Sequence, residues 1–280
     1  MLVFLSCPFD NGSIGNHRHR GGRGFMESDV RLTALLEELA ANAWPAHEQQ
    51  TLGKWRLRAT FGTTKRANSV FAVGPFPACD DWMTVVEDFY QRRSLPACFC
   101  VSDASPAELD GMLAARGYEK VDECYVMTAK MSDCIERVDF DSRFTCRFAG
   151  EADDEWIRDF IRFEHFAPAR HRAYTHIFSA IRPEKAFARI CENGETVGLG
   201  TVVVERGWAS LCNIVVAPAH RRRGIGVQLV GSLAGWARDH GASGLYLQVV
   251  KENAAAVSIY KKLGFVPVSG HHYRIRPTTC

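Results

Sequence analysis

Apolar and polar positions fall into short blocks whose order repeats along the chain. In the second half, an apolar strand-like run over Leu211 to Val216 is followed by a basic, glycine-containing turn and a helix-like stretch from Val227 to His240. A strand pattern at Gly244 to Val250 and a helical pattern from Asn253 to Leu263 come next, and strands at Phe265 to Val268 and His271 to Arg276 close the chain. Upstream, the pattern predicts a strand near Phe144 to Phe148 and a helix near Asp153 to Phe163 with acidic residues in its first turn. A polar segment carrying Glu164, His165, Pro168, His171, Tyr174 and His176 separates that helix from a second helix-like stretch ending at Ile181. Strands are then expected at Ala186 to Cys191, Val197 to Glu205 and Trp208 to Val216, with Asn193-Gly194 as a hairpin turn. Interleaved strands and helices predict an α/β chain built on a mixed sheet.

The first half repeats a weaker version of this order. Asn68-Ser-Val-Phe-Ala-Val-Gly-Pro75 parallels Asn213-Ile-Val-Val-Ala-Pro218. Trp82 to Arg92 reads as the helix that follows, Ala97 to Val101 as the next strand, and Glu108 to Tyr118 as the counterpart of the helix ending at Leu263-Gly264-Phe265. A chain of 280 residues with 46% hydrophobic content can form a sizeable core, and domains of roughly 100–200 residues suggest two. The expected division is a disordered leader over 1–26, a first lobe over 27–130, a linker over 131–141 and a second lobe over 142–280. Within the leader, the Gly-rich setting of His17-Arg18-His19-Arg20 argues against a metal or phosphate site.

Charge and cysteine content narrow the class of function. A net charge of +2 gives no general attraction to nucleic acid or to a membrane surface. No apolar run reaches the roughly 18 residues of a membrane span, and Leu2 to Leu5 is too short for a secretory signal core, so a cytoplasmic location is expected. The ten cysteines are scattered through apolar segments, which reads as buried free thiols. Cys98 and Cys100 share one side of a strand, no Cys-x-x-Cys pair or His spacing offers a zinc site, and no metal is expected.

The turn Arg221-Arg222-Arg223-Gly224-Ile225-Gly226 carries the chemistry. A helix begins with N–H groups that lack intrahelical partners and with the positive end of its dipole, so an anion placed there gains hydrogen bonds and charge stabilisation together. Two glycines let the backbone approach a diphosphate. The third glycine of a dinucleotide fingerprint and the Lys-Ser/Thr of a triphosphate loop are both missing, which favours coenzyme A. Arg221, Gly224 and Gly226 meet the pattern Arg/Gln-x-x-Gly-x-Gly/Ala, and Asn253, Tyr260, Gly264 and Phe265 supply a second landmark downstream. On these residues the chain resembles the GNAT superfamily of acyl-CoA N-acetyltransferases, in a tandem arrangement of two GNAT-like lobes.

The resemblance implies the GNAT acyl-CoA N-acyltransferase fold and transfer of an acetyl group from acetyl-CoA to a primary amine on a small molecule or peptide. It implies that backbone groups at Ile214, Val215 and Val216 hold the thioester carbonyl and pantetheine arm, where neighbouring parallel strands splay. The turn Arg221, Arg222, Arg223, Gly224, Ile225, Gly226 and Val227 then takes the pyrophosphate, and the Asn253 side chain touches the CoA arm or phosphates. Tyr260, a phenol protonated at neutral pH, is the expected general acid for the leaving thiolate. Many members carry Glu on the strand before the turn; here Ser210, Cys212 and Asn213 stand there, leaving Glu164 or His165, acting through water, as candidate bases, or an amine that arrives already neutral. Cys212 reads as core ahead of an acyl-carrying nucleophile. In the first half Phe76-Pro77-Ala78-Cys79-Asp80-Asp81 replaces the basic turn, and its carboxylates oppose a diphosphate. Trp55, Arg56, Arg58, Arg66 and Asn68 read as strand-face residues ahead of an acceptor groove between lobes. The alternatives to an enzyme are a CoA-binding sensor with little turnover and, on local charge alone, a nucleic-acid binder; the second lacks interleaved aromatics and enough basic residues.

Overall fold

In the computed structural model, residues 30–277 are described, and their strands join in one eleven-stranded sheet. The first half runs α1 (Val30–Asn42), β1 (Glu48–Leu52), β2 (Trp55–Ala59), β3 (Val70–Phe71), α2 (Trp82–Gln91), β4 (Cys98–Ser102), α3 (Leu109–Ala115) and β5 (Glu119–Lys130). The short helix α4 (Met131–Glu136) leads to β6 (Phe144–Ala149), α5 (Asp154–Phe163), α6 (His171–Ala180), β7 (Glu184–Glu192), β8 (Glu195–Glu205) and β9 (Trp208–Val216). Then follow α7 (Ile225–Asp239), β10 (Gly244–Val250), α8 (Ala254–Lys262) and β11 (Val266–Ile275).

The sheet order is β1-β2-β3-β4-β11-β5-β10-β9-β8-β7-β6. Each half therefore gives its last strand to the other. β11 lies antiparallel to β4, β5 lies antiparallel to β10, and the two exchanged strands pair with each other at the centre. Outward from that pair the order is symmetric, with the parallel pair β3 and β4 answering the parallel pair β9 and β10. The ranges 27–130 and 142–280 thus contribute to a shared sheet, and neither holds a full set of strands alone. The GNAT-type mixed sheet read from the sequence is present, in tandem form. The expected leader over 1–26 lies outside the described residues.

Three local readings differ in detail. The segment 131–141, expected as a linker, is packed: it contains α4, and Val138 sits so close to α7 that a Cβ on Gly231 would meet it at 2.8 Å. The Gln228 side chain fixes the same segment, donating to the Asp139 carbonyl at 2.6 Å and accepting from the Asp141 N–H at 3.0 Å. The two final strands are one, β11, whose register shifts at Pro267/Ser269 and His271/Tyr273 are irregularities in a continuous pairing with β5. The strand expected from Asn68 to Pro75 shrinks to Val70–Phe71 because Asn68 turns its amide into the preceding loop.

Helices cover both faces. α4, α7 and α8 pack on one face through Met131, Leu229, Leu233, Ala256 and Tyr260 against Leu211, Val216, Leu245 and Leu247. On the other face α5 and α6 join Trp44 over Phe187, Leu199, Val203 and Val215, and α1 lays Leu36 and Leu39 on Val126 and Tyr246. Helix α5 starts where the sequence says it should, because the Asp153 carboxylate accepts from the Trp156 N–H at 2.7 Å. Among the described residues no helix is long and apolar enough to cross a membrane, and the described cysteines are free.

Candidate active site

The parallel pairing of β9 with β10 covers only Trp208–Ser210 against Gly244–Tyr246. Beyond it the strands part: β9 stays paired with β8 as far as Val216, and β10 stays paired with β5 as far as Val250. A bulge in β9 accompanies the parting, with Leu199 opposite Val215 but Thr201 opposite Cys212. Asn213 at the bulge has φ +54°, and its amide donates to the Thr201 hydroxyl at 3.0 Å, which holds a conformation costly for a non-glycine residue. The splayed strands expected around Ile214, Val215 and Val216 are present. The three side chains are buried, and Val216 borders the cleft at the start of α7.

At the end of β9 the chain passes through the basic turn into α7. Gly224 is the N-cap at φ +80°, a conformation that glycine adopts without strain. The first ladder bonds return to the Gly224 carbonyl from the N–H groups of Val227 and Gln228, leaving the N–H groups ahead of them to the cleft. That cleft has a volume of about 370 Å³ and is lined by Val216, Arg221, Arg222, Gly224, Ile225, Gly226 and Val227 on one side and by Ala255, Ser258, Ile259 and Lys262 of α8 on the other. Arg223 turns away to pair with Glu192 at 2.6 Å. Arg221 also ties the turn to its surroundings, donating to the carbonyls of Val216 at 3.3 Å and Phe163 at 3.5 Å. The Asn253 side-chain amide oxygen caps α8 by accepting from the Ala256 N–H at 3.1 Å, and Asn253 is absent from the cleft lining.

Tyr260 is buried on α8, its ring against Phe265. Burial raises its phenol above the usual value, and the negative field of Glu164 pushes it further, so the side chain keeps its proton. The same interaction brings together Tyr260 and Glu164, distant in sequence and named separately from it. Glu164 is buried at the C-cap of α5, whereas the adjacent His165, at φ +59°, is exposed. Burial pushes the Cys212 thiol up to about 11, ahead of smaller lowering effects from Arg66 and Ser210. At neutral pH its thiolate fraction is about one in ten thousand, too little for a nucleophile.

Across the sheet from the cleft, on the side covered by α1, the split opens onto two adjoining small spaces of about 20 Å³ each. The first lies against Ser210, Leu211, Cys212 and Asn213, the second against Glu37, Arg58, Cys100 and His271, and both share Ala40, Trp44, Arg66 and Gln248. Of the first-half residues read as strand-face positions, Arg58 and Arg66 belong to this chamber. Trp55 is core, Asn68 is a loop anchor, and Arg56 lies over the Phe71 ring at 4.5 Å. Glu37, Trp44, Gln248 and His271 had no sequence signal, because they come from α1, its C-terminal flank, β10 and β11. His271 and Glu37 are 234 positions apart and bond at 2.9 Å. Burial works to lower the His271 imidazole, but the Glu37 carboxylate outweighs it and holds the imidazolium well above its ordinary value. Cys100 completes a group whose ligand-type atoms lie within 4.8 Å of one another.

The buried pair gives a stability prediction. Glu37→Gln leaves His271 with no counter-charge in the interior and is expected to destabilise the fold by about 3 kcal/mol or more, read by urea denaturation at pH 6. Because the folded imidazole titrates above its unfolded value, the wild-type contribution is full below pH of about 6.5 and is lost as pH rises through the folded value. Equal midpoints for the two proteins at pH 6 would remove the pair from the stability account.

In the first half the position matching the cleft is filled. Phe76 packs on Trp55 and on Trp82, the first residue of α2, with ring centroids 5.6 Å apart in both cases, and Trp55 and Trp82 meet at 5.2 Å. Asp81 is the N-cap there. Aromatic bulk and a carboxylate occupy the place where the second half presents open main chain.

Comparison with known proteins agrees with this geometry. Residues 28–276 match the model of a family described as "Probable histone acetyltransferase Rv0428c C-terminal". A Bacillus subtilis (strain 168) protein named as the uncharacterized N-acetyltransferase YobR is 48% identical over 241 residues, covering 86% of this chain and 97% of that protein. The chain belongs to the GNAT family of N-acetyltransferases. Shorter matches to this acetyltransferase are a streptothricin acetyltransferase of Streptomyces lavendulae and the ribosomal protein bS18-alanine N-acetyltransferase of Escherichia coli (strain K12), each 34% identical and spanning 44% and 52% of those proteins. Among solved structures, a GCN5-related N-acetyltransferase from Kribbella flavida superposes with TM-score 0.64 at 17% identity, covering 89% of this chain and 96% of that one. A tandem GNAT protein from the clavulanic acid biosynthesis pathway gives 0.63 at 12%, covering 87% and 89%. Both likenesses concern the fold. Together they place the acetyltransferase among tandem GNAT structures.

Proposed function

We propose that this GNAT enzyme transfers an acetyl group from acetyl-CoA to a primary amine by direct attack, with the half from residue 142 onward holding the donor and the first half closing the acceptor side. The observation that carries the reading is the split between β9 and β10, with an anion-ready helix start and cleft on one face and a small pocket bounded by Arg66, Cys212 and Asn213 on the other. The diphosphate lies on the free N–H groups at the start of α7, and the acyl arm follows the main-chain edge that β9 leaves unpaired along Leu211–Val216. The amine nitrogen, its lone pair free, forms the new C–N bond at the thioester carbonyl carbon while the C–S bond breaks. Tyr260 gives its proton to the departing thiolate, and the proton lost by the amine passes through water to Glu164 and restores the phenol. The Tyr260–Glu164 proximity supports this pairing, and the exposure of His165 argues for Glu164 over it. The raised Cys212 thiol supports direct attack over an acyl-cysteine intermediate.

A CoA-release assay with acetyl-CoA and a panel of primary amines tests the reading. At least one amine is expected to give stoichiometric CoA and N-acetyl product. Tight CoA binding with no release from any amine would favour a sensor and overturn acetyl transfer.

A further inference from the structure

The residues of the chamber say which amine. Resting on the acetyl-transfer reading, we infer that the acceptor is a small primary amine bearing a carboxylate, and that Arg66 holds this carboxylate while the amine faces the split between β9 and β10.

Arg66 lines both spaces of the chamber. Its guanidinium lies 3.8 Å from the centroid of the Trp44 ring, which fixes the plane of the fork without using its donors. Its Nε is buried with no hydrogen-bond partner, and no carboxylate pairs with it among the described residues. The neighbouring Lys65 is already paired with Asp122 at 2.9 Å. Glu37, the carboxylate nearest to hand in the chamber, is engaged by His271 at 2.9 Å and by Gln248 at 3.3 Å. A planar cation with free donors in a partly buried, preshaped place is what a carboxylate needs for a charge-assisted, forked contact.

The loop that carries Arg66 is built to keep it there. Asn68 accepts from the N–H groups of Thr60 at 2.7 Å and Gly62 at 3.1 Å, and donates to the carbonyls of Thr63 at 2.6 Å and Thr64 at 2.8 Å. Thr64, at φ +63°, receives the Trp44 indole N–H on its hydroxyl at 3.1 Å, which joins the stacking ring to the loop. A strained residue held by its neighbours two positions before an unpaired arginine is the form in which binding loops store preorganisation.

The charge of the lining selects among acceptors. With His271 as imidazolium, the chamber lining carries Arg58, Arg66 and His271 against Glu37, an excess of positive charge that repels a bare ammonium and attracts a zwitterion's acid group. Arg66 also sits on the same chamber wall as Cys212 and Asn213, so an amine a few bonds from the carboxylate reaches the split.

The test compares matched amines with the intact protein: a series of free amino acids and the corresponding carboxamides and methyl esters, each followed by CoA release at saturating acetyl-CoA. Wild-type protein is expected to favour the free acid by roughly a hundredfold in kcat/KM. Arg66→Gln is expected to reduce that ratio at least tenfold through KM of the acid, with the affinity for acetyl-CoA unchanged, and Arg66→Lys is expected to recover part of it. A wild-type ratio near one, or preference for polyamines or lysine-containing peptides, overturns the inference while leaving acetyl transfer standing, and an unchanged ratio in Arg66→Gln overturns the role of Arg66. No release from any amine overturns both readings together.

Discussion

Acetyl-CoA is expected to bind Gly226→Asp on the order of a hundredfold more weakly than wild-type, while the variant melts at the same temperature or slightly higher. The two halves of this expectation come from different physics. A Cβ at Gly226 meets nothing closer than 3.9 Å, and the position lies in the first turn of α7 with no left-handed requirement, so the fold accepts a side chain. An acidic residue in a first turn also complements the helix dipole by about 0.3–1 kcal/mol, and removing a helical glycine adds a few tenths. A bound diphosphate meets that same carboxylate at close range. At an effective dielectric near 20 and a separation of about 5 Å, one pair of like charges costs roughly 3 kcal/mol, or about two decades in affinity. Calorimetric titration with CoA and a thermal melt separate the effects, because a structural role for Gly226 lowers both together. Unchanged CoA affinity would move the diphosphate away from this helix start.

Tyr260→Phe is expected to lower kcat by about a hundredfold or more, with the dissociation constant for acetyl-CoA within about twofold of wild-type. The ring is retained, so the packing against Phe265 survives. What disappears is one proton donor, which matters only as sulfur acquires negative charge. Since burial first, and then Glu164, hold the phenol above its ordinary value, wild-type kcat should show no fall from loss of this proton below pH of about 10. A variant that turns over as fast as wild-type would assign Tyr260 to packing alone.

The strand exchange gives these effects a common setting. β10 forms one wall of the split, and β5, from the first half, is its other neighbour; β11, from the second half, carries His271 into the chamber beside Arg58 and Arg66. The cleft and the chamber thus lie on two faces of one sheet. The first half has lost its own cleft to Phe76, Trp55 and Trp82, and what it retains is a wall for its partner half.

Contiguous features were legible from the chain alone. The start of α7 at Gly224, the capped start of α5 at Asp153, the order of strands and helices in the second half and the internal repeat all follow from residues within a few positions of one another, where backbone preference and period decide. The acidic, aromatic turn of the first half likewise announced a cleft unable to take a diphosphate.

Tertiary structure alone decided the rest. An alternating strand pattern says which face is buried and nothing about which strand lies beside it, so β5 and β11 could not be assigned to opposite halves by reading them. Tertiary contact similarly made Arg223 a partner for Glu192 and the 131–141 segment packing for α7, because each answers to neighbours far away in sequence. The chamber of Glu37, Trp44, Arg66, Gln248 and His271 exists for the same reason: side chains from four regions converge only when the sheet closes, and the energy that fixes them is the desolvated charge and hydrogen bonding of that convergence.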